Sequence, residues 1–363
     1  MWHPTGNSIL LVSRGADPVG TGREVEIAAT GLAAFGAQVH VALMSAVGSL
    51  HDRLVQRGAK VYQVGQRSRP DAAGVGRLAD VVRLVLPVSV IAFGRPQAVA
   101  SAVATRLRIS RRQRPRLLCR VAVTPRGLTD AWALTRADRV LASSPIVAEA
   151  CRKAGVAPHR LDTIEPVADA ALSGLATREE IAAQFQLDPA KLWSLCVAPL
   201  VARSRLDRLL WAIDQLDVVR RDVEHVLVGS GPQLHRVRRR ARVQHLADRL
   251  RIVPSCRCLP DLLREVRFVW QSGDVALGGA LFDAMAAGKP AVAVDSEAAQ
   301  QAIIDGETGW IVPPAPESEF PRRAFSLVED DALAARLGTA AQERATSHFS
   351  SDRFISAVLA AAQ

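Results

Sequence analysis

Residues 278–314 read GGALFDAMAAGKPAVAVDSEAAQQAIIDGETGWIVPP, and the order of their parts sets the fold class. A Gly-rich loop opens a helix bearing one acid, Asp283. An apolar strand, a second helix and a Gly-Glu-Thr-Gly turn follow. Helices alternating with short apolar strands build a parallel sheet, and such sheets bind ligands outside the carboxyl ends of their strands. The loop at Gly278 brings backbone N–H groups to that edge. Asp283 brings a carboxylate of the kind that accepts both hydroxyls of a ribose, although an acid early in a helix is also favoured by the helix dipole alone.

The same alternation runs outward in both directions. In the first half, apolar runs at 9–13, 38–44, 60–64, 88–93, 117–123 and 140–142 read as strands. Helical spacing at 23–35, 50–57, 96–108 and 145–154 fills gaps between them. Residues 161–190 are polar and turn-prone apart from a short helix at 178–185. The series then resumes with strands at 192–198, 224–229, 250–253, 267–270, 291–295 and 309–312. The expected architecture is α/β, with two doubly wound Rossmann-like domains facing across a cleft. Their bounds are 1–160 and 191–345, with a linker region at 161–190. A C-terminal helix at 346–363 is expected to pack back toward the first domain. A length of 363 residues suits two full cores.

Apolar residues make up 49% of the chain, which excludes a largely disordered protein. No apolar run approaches the ~20 residues of a spanning helix. The N-terminus lacks a basic region followed by a long apolar one, so a cytoplasmic protein without a signal peptide is expected. The five cysteines, Cys119, Cys151, Cys196, Cys256 and Cys258, are scattered apart from one C-x-C. They lack zinc-finger spacing and read as buried or inert thiols.

The formal charge of +10 comes mostly from arginine, with only four lysines in the chain. Arginines cluster at 106–116 (RLRISRRQRPR) and 236–242 (RVRRRAR). Patches of this kind attract phosphates on nucleotides, lipid headgroups or nucleic acids. The plainer account of 236–242 is a solvated face in an Arg-rich chain. One Tyr and nine Phe offer little aromatic surface for stacking bases, which argues against nucleic acid.

Two further glycine turns stand where a strand meets a helix. Val228-Gly229-Ser230-Gly231-Pro232 ends one strand, and Gly20-Thr21-Gly22 follows the first. Backbone N–H groups in such turns approach phosphates at the positive end of a helix. A plain tight turn accounts for each equally well. Neither is a dinucleotide fingerprint, because the G-x-G-x-x-G spacing is missing. The eight histidines are dispersed, and no Ser-His-Asp set, His-Glu-x-x-His or Walker loop is present.

On VLVGSGP (226–232), ADRLRIV (247–253), GGALFDAMAAGKP (278–290) and DGETGWIVPP (305–314), the chain resembles the retaining GT-B-fold glycosyltransferases of family 4, the glycosyl transferases group 1. Weaker echoes lie at 20–39 and 137–144. The resemblance implies a nucleotide-diphosphate sugar as co-substrate, held mainly by the second domain, with no cofactor and no required metal. It implies a nucleotide-sugar-binding set of Asp283, Gly278, Gly229, Gly231, Arg203 and Arg205, and an acceptor-side loop at Gly20 and Gly22.

Position by position, the family's Glu-x7-Glu motif keeps its second acid as Asp283 and places Val275 at its first. The family's Arg and Lys for the diphosphate fall on Pro199 and Ser204, beside Arg203 and Arg205. Its paired glycines fall on Glu297 and Ala298, and a further Glu on Gln301. The activity this implies is sugar transfer to an acceptor, a cell-envelope glycan or lipid, with catalytic residues unassigned. The Arg-rich patches would then touch anionic lipid at the inner face of the membrane. The alternative is a catalytically impaired GT-B pseudoenzyme, with a degenerate motif, that binds a nucleotide, a glycan or a partner protein.

Overall fold

A computed structural model describes residues 8–14, 20–44, 49–65, 72–107, 110–168, 176–256, 258–275 and 280–362. Contacts divide the chain into two units, Met1–Pro166 with Ser351–Gln363, and Val167–Ser350.

The first unit runs β1 (Ser8–Ser13), α1 (Thr21–Ala34), β2 (Gln38–Leu43), α2 (Ser49–Gln56), β3 (Lys60–Gln63), α3 (Ala72–Val85) and β4 (Ser89–Phe93). It continues with α4 (Arg95–Ala104), β5 (Arg116–Val121), α5 (Gly127–Leu134), β6 (Arg139–Ala142), α6 (Pro145–Lys153) and β7 (Leu161–Thr163). Among the described residues, these strands form one parallel sheet in the order β3-β2-β1-β4-β5-β6-β7. In register, Ile9 of β1 stands between Val39 of β2 and Ser89 of β4. The run SVIAF of β4 is buried throughout. Helices cover both faces of a doubly wound sheet, so its strands read as continuous apolar runs without alternation.

The second unit runs α7 (Arg178–Phe185), β8 (Leu192–Val197), α8 (Leu206–Val219), β9 (Val223–Val228), α9 (Leu234–Val243), β10 (Leu250–Val253), α10 (Leu259–Glu265) and β11 (Phe268–Gln271). Then come α11 (Leu281–Ala286), β12 (Ala291–Val294), α12 (Glu297–Ala302), β13 (Gly309–Val312), α13 (Glu319–Glu329) and α14 (Asp331–His348). Its strands are again parallel, in the order β10-β9-β8-β11-β12-β13. In both sheets the order reverses beside the first strand, so the switch points fall between β1 and β4 and between β8 and β11. The last helix, α15 (Ser351–Ala362), belongs to the first unit. It lies on α1 at Gly31, where any side chain would run into Ile355. Ser89 of β4 also donates to the carbonyl of Ala362 at 3.0 Å.

Residues 161–190 are divided between the units rather than forming one linker. Leu161–Thr163 pairs with β6 as an edge strand, and α7 belongs to the second unit. Three residues of strand are too short to carry a periodicity. The opening of α7 is written in its sequence: Thr177 caps the backbone of Glu180, and Glu180 caps Thr177 in return. Arg178 then stacks 3.9 Å over Trp193.

The core of the second unit gathers around Trp270, packed edge-on against Phe268 and Phe320 at 5.0 and 4.8 Å. Its indole N–H donates to Ser194 Oγ at 2.9 Å, and Ser194 Oγ lies 2.6 Å from His225 Nδ1. This polar line crosses β11, β8 and β9 inside the apolar sheet.

Candidate functional site

The loops at the β8–β11 switch point are locked to one another by backbone. Leaving β8, Ala198 N–H donates to Val228 O at 3.0 Å and Leu200 N–H to Ser230 O at 2.9 Å. Gln233 N–H returns a bond to Leu200 O at 3.0 Å. A side chain at Gly229 would strike the Ala198 carbonyl, and one at Gly231 would meet Leu200 O at 2.6 Å. Both glycines are therefore required by close approach of two backbones, before any ligand is considered.

The loop after β11 joins the same cluster. Ser272 Oγ donates to Ser204 O at 2.8 Å and Asp274 N–H to Arg203 O at 3.1 Å, and Gly273 lies against the same turn.

The positions singled out by the family motif have distinct fates in this cluster. Ser204 is fully buried and spends its hydroxyl on Pro199 O at 2.5 Å. Val275 is 5% exposed and belongs to the apolar core. Asp283 is also 5% exposed, on the short helix α11, while Gly278 lies outside the described residues. Glu297 opens α12, where Ser296 Oγ accepts from Ala299 N–H at 3.3 Å.

Arg203 is exposed on the turn after β8. Arg205, also exposed, ends the same turn. Its backbone is left-handed, with φ of 49°. It lines a cavity of about 320 Å³ between α8 and α9, in company with Arg236 and Arg240.

Two motifs that carried the resemblance are accounted for by internal hydrogen bonds. In AAGKP, Gly288 takes φ of 68° and donates to Met285 O at 2.9 Å. Lys289 N–H donates to Ala284 O at 2.8 Å, which completes a Schellman cap before Pro290 stops the helix. In DGETG, Gly306 N–H donates to Gly309 O, Ile304 N–H to Thr308 Oγ1, and Ile311 N–H to Asp305 Oδ1. A side chain at Gly309 would meet Ala291 O at 2.7 Å. The turn thus sets β13 beside β12.

In the first unit, Gly20 takes φ of 54° at the start of α1, its carbonyl accepting from Glu24 N–H at 3.1 Å, and Gly22 is buried. Sequence reasoning missed the charged pair beside them. Arg120 on β5 and Glu24 on α1 are 1% and 2% exposed and bonded twice, at 2.9 and 2.5 Å. Arg120 also donates to the carbonyls of Ala142 and Ile164, with its guanidinium 5.6 Å from the Phe354 ring. Arg208 was missed too; buried on α8, it donates to Pro314 O at 3.1 Å. The one hint for Arg120 is an arginine inside the otherwise apolar run RLLCRV.

Burial pushes the Cys119 and Cys196 thiols up to about 12 and Cys151 to about 11, so these are inert. Cys258 corrects the expectation for the set. A hydrogen bond from Cys256, whose sulfur lies 3.6 Å away, lowers its pKa. Burial, with Arg249 adding to it, lowers His225 to about 3 and keeps its ring neutral. Among the described residues, no helix is long and apolar enough to cross a membrane.

Residues 177–344 match the family model described as glycosyl transferases group 1. No curated protein matches the chain. Among solved structures, Anabaena HepE in complex with UDP and glucose superposes with a TM-score of 0.81 at 18% identity, over 97% of this chain and 98% of that one. Sucrose-phosphate synthase from Thermosynechococcus elongatus gives 0.78 at 19%, over 98% of each chain. A glycosyltransferase from Rickettsia africae gives 0.77 at 16%, over 99% and 98%. The chain therefore has the GT-B fold, and the greater part of its second unit matches the glycosyl transferases group 1.

Proposed function

We propose that this protein transfers a sugar from a nucleotide-diphosphate donor to an acceptor, with the second unit binding the nucleotide. The observation that carries this reading is the cluster of loops after β8, β9 and β11. They are fixed to one another by main-chain hydrogen bonds at the edge where doubly wound sheets take their ligands. Departure of a nucleotide diphosphate builds negative charge, which preorganised donors and cations stabilise. Arg203 is an exposed cation of this cluster, and Asp283 is the acid for the ribose. The acceptor is a glycan or a lipid-linked glycan. Arg112 and Arg114, exposed just before β5, suit contact with an anionic membrane.

Because HepE was solved with UDP-glucose, UDP-glucose leads the panel of donors to test. Saturable thermal stabilisation by a nucleotide sugar is expected, with nucleotide released when an acceptor is added. Asp283→Asn is expected to weaken donor binding about tenfold, by loss of a charge-assisted pair. A folded protein that neither gains stability nor releases nucleotide across the panel would contradict the proposal. Two observations favour a second reading, a nucleotide-binding protein without turnover: Val275 is core, and Ser204 is committed to Pro199. Binding without release would select it.

A further inference from the structure

We propose that the cavity between α8 and α9, which borders the loops assigned to the donor, is a binding site for a further phosphoryl group. It has a volume of about 320 Å³, at the small end of the ~300–1,000 Å³ typical of ligand sites. Arg205 reaches it from the turn before α8, and Arg236 and Arg240, one helical turn apart, reach it from α9. Asp207 and Gln233 complete the polar rim, over buried Val237.

Several other arginines of the same unit are held in ion pairs. Arg220 binds Asp222 and Glu329, Arg249 binds Asp217, and Arg267 binds Asp331. The side chains of Arg205, Arg236 and Arg240 make no ion pair or hydrogen bond among the described residues. An Arg-rich composition would scatter unpaired guanidinium groups over the surface, whereas here three converge on one concavity. Against the single carboxylate of Asp207 they leave an excess of two positive charges. That excess suits a dianionic phosphoryl group better than a lone carboxylate, and the planar fork of arginine matches phosphate oxygens in bidentate fashion. The apolar floor under the rim strengthens each contact by limiting solvent screening.

Two sources share this chemistry, a soluble oligophosphate and a phospholipid headgroup, and one experiment separates them. The intact protein is titrated with tripolyphosphate at constant ionic strength by calorimetry, and in parallel with vesicles of phosphatidic acid in phosphatidylcholine. The inference does not rest on sugar transfer, so it is read by binding alone.

Saturable binding is expected, weakened about tenfold or more in R236Q/R240Q, which removes two charge-assisted contacts. The double variant R238Q/R239Q removes the same charge from the same helix outside the cavity, and its affinity is expected to stay within twofold. Far-UV circular dichroism confirms that both variants fold. Loss of tripolyphosphate binding alone in R236Q/R240Q assigns a soluble ligand, and loss of vesicle binding alone assigns a headgroup. Equal weakening in the two double variants, or no saturable binding to either probe, would overturn the proposal.

Discussion

Cys258 and Cys256 stand with their sulfurs 3.6 Å apart, and only one of them is disposed to react. The bond that Cys256 donates stabilises the Cys258 thiolate and holds the Cys256 proton in place. Limiting iodoacetamide at neutral pH is expected to label Cys258 before any other cysteine, read by peptide mass spectrometry. Cys258→Ser should remove most of the fast-reacting thiol. Cys119, Cys151 and Cys196 are expected to resist until denaturant is added; early labelling there would refute the assignment. Spacing alone could mark 256–258 as a C-x-C, but not which sulfur would be the anion. The same limit applied in the candidate site. Matching the family motif locates Ser204 and Val275, yet only their surroundings reveal that one hydroxyl is spent and one side chain is core.

At the scale of elements, two glycines in helices call for opposite treatment. Gly338 of α14 faces the Gly288 carbonyl at the end of α11, and a methyl group there would collide with backbone. Gly338→Ala is expected to destabilise the protein by about 1–3 kcal/mol, the usual range for overpacking. Gly76 of α3 has nothing within 4 Å of its would-be side chain. Gly76→Ala should stabilise by about 0.4–1 kcal/mol through a less flexible unfolded chain. Urea unfolding of both variants checks the pair, and the expectation fails if the signs agree. Apart from the three-residue β7, the strand series of both units is visible as apolar runs. The helix α3 is hard to recognise in the sequence because Gly74 and Gly76 weaken its first turns.

Across the whole molecule, the His225–Ser194–Trp270 line ties folding to pH. His225 is neutral in the folded sheet, with a pKa of about 3, while in the unfolded chain it titrates near its ordinary ~6.5. Between those values the unfolded chain binds the extra proton. This stabilising contribution is therefore complete above about 6.5 and is lost as the pH falls toward 3, at up to about 1.4 kcal/mol per pH unit. His225→Asn is expected to flatten the fall in unfolding free energy between pH 7 and pH 5 relative to the wild type. Parallel curves for the two proteins would refute this role.

What the sequence by itself determined is the alternation that winds each unit, the caps and turns that end its helices, and the family motifs of the second unit. These are local signals, written within a few residues of one another in repeating backbone geometry. Only the tertiary structure decided which charges meet. Glu24 and Arg120 pair across 96 residues. Arg205 meets Arg236 and Arg240 across a helix and a strand, and the two glycines of VGSGP are explained by the carbonyls of another loop. Such pairings depend on where the chain returns in space, and hydrophobic periodicity specifies which face is buried without naming the partner that covers it.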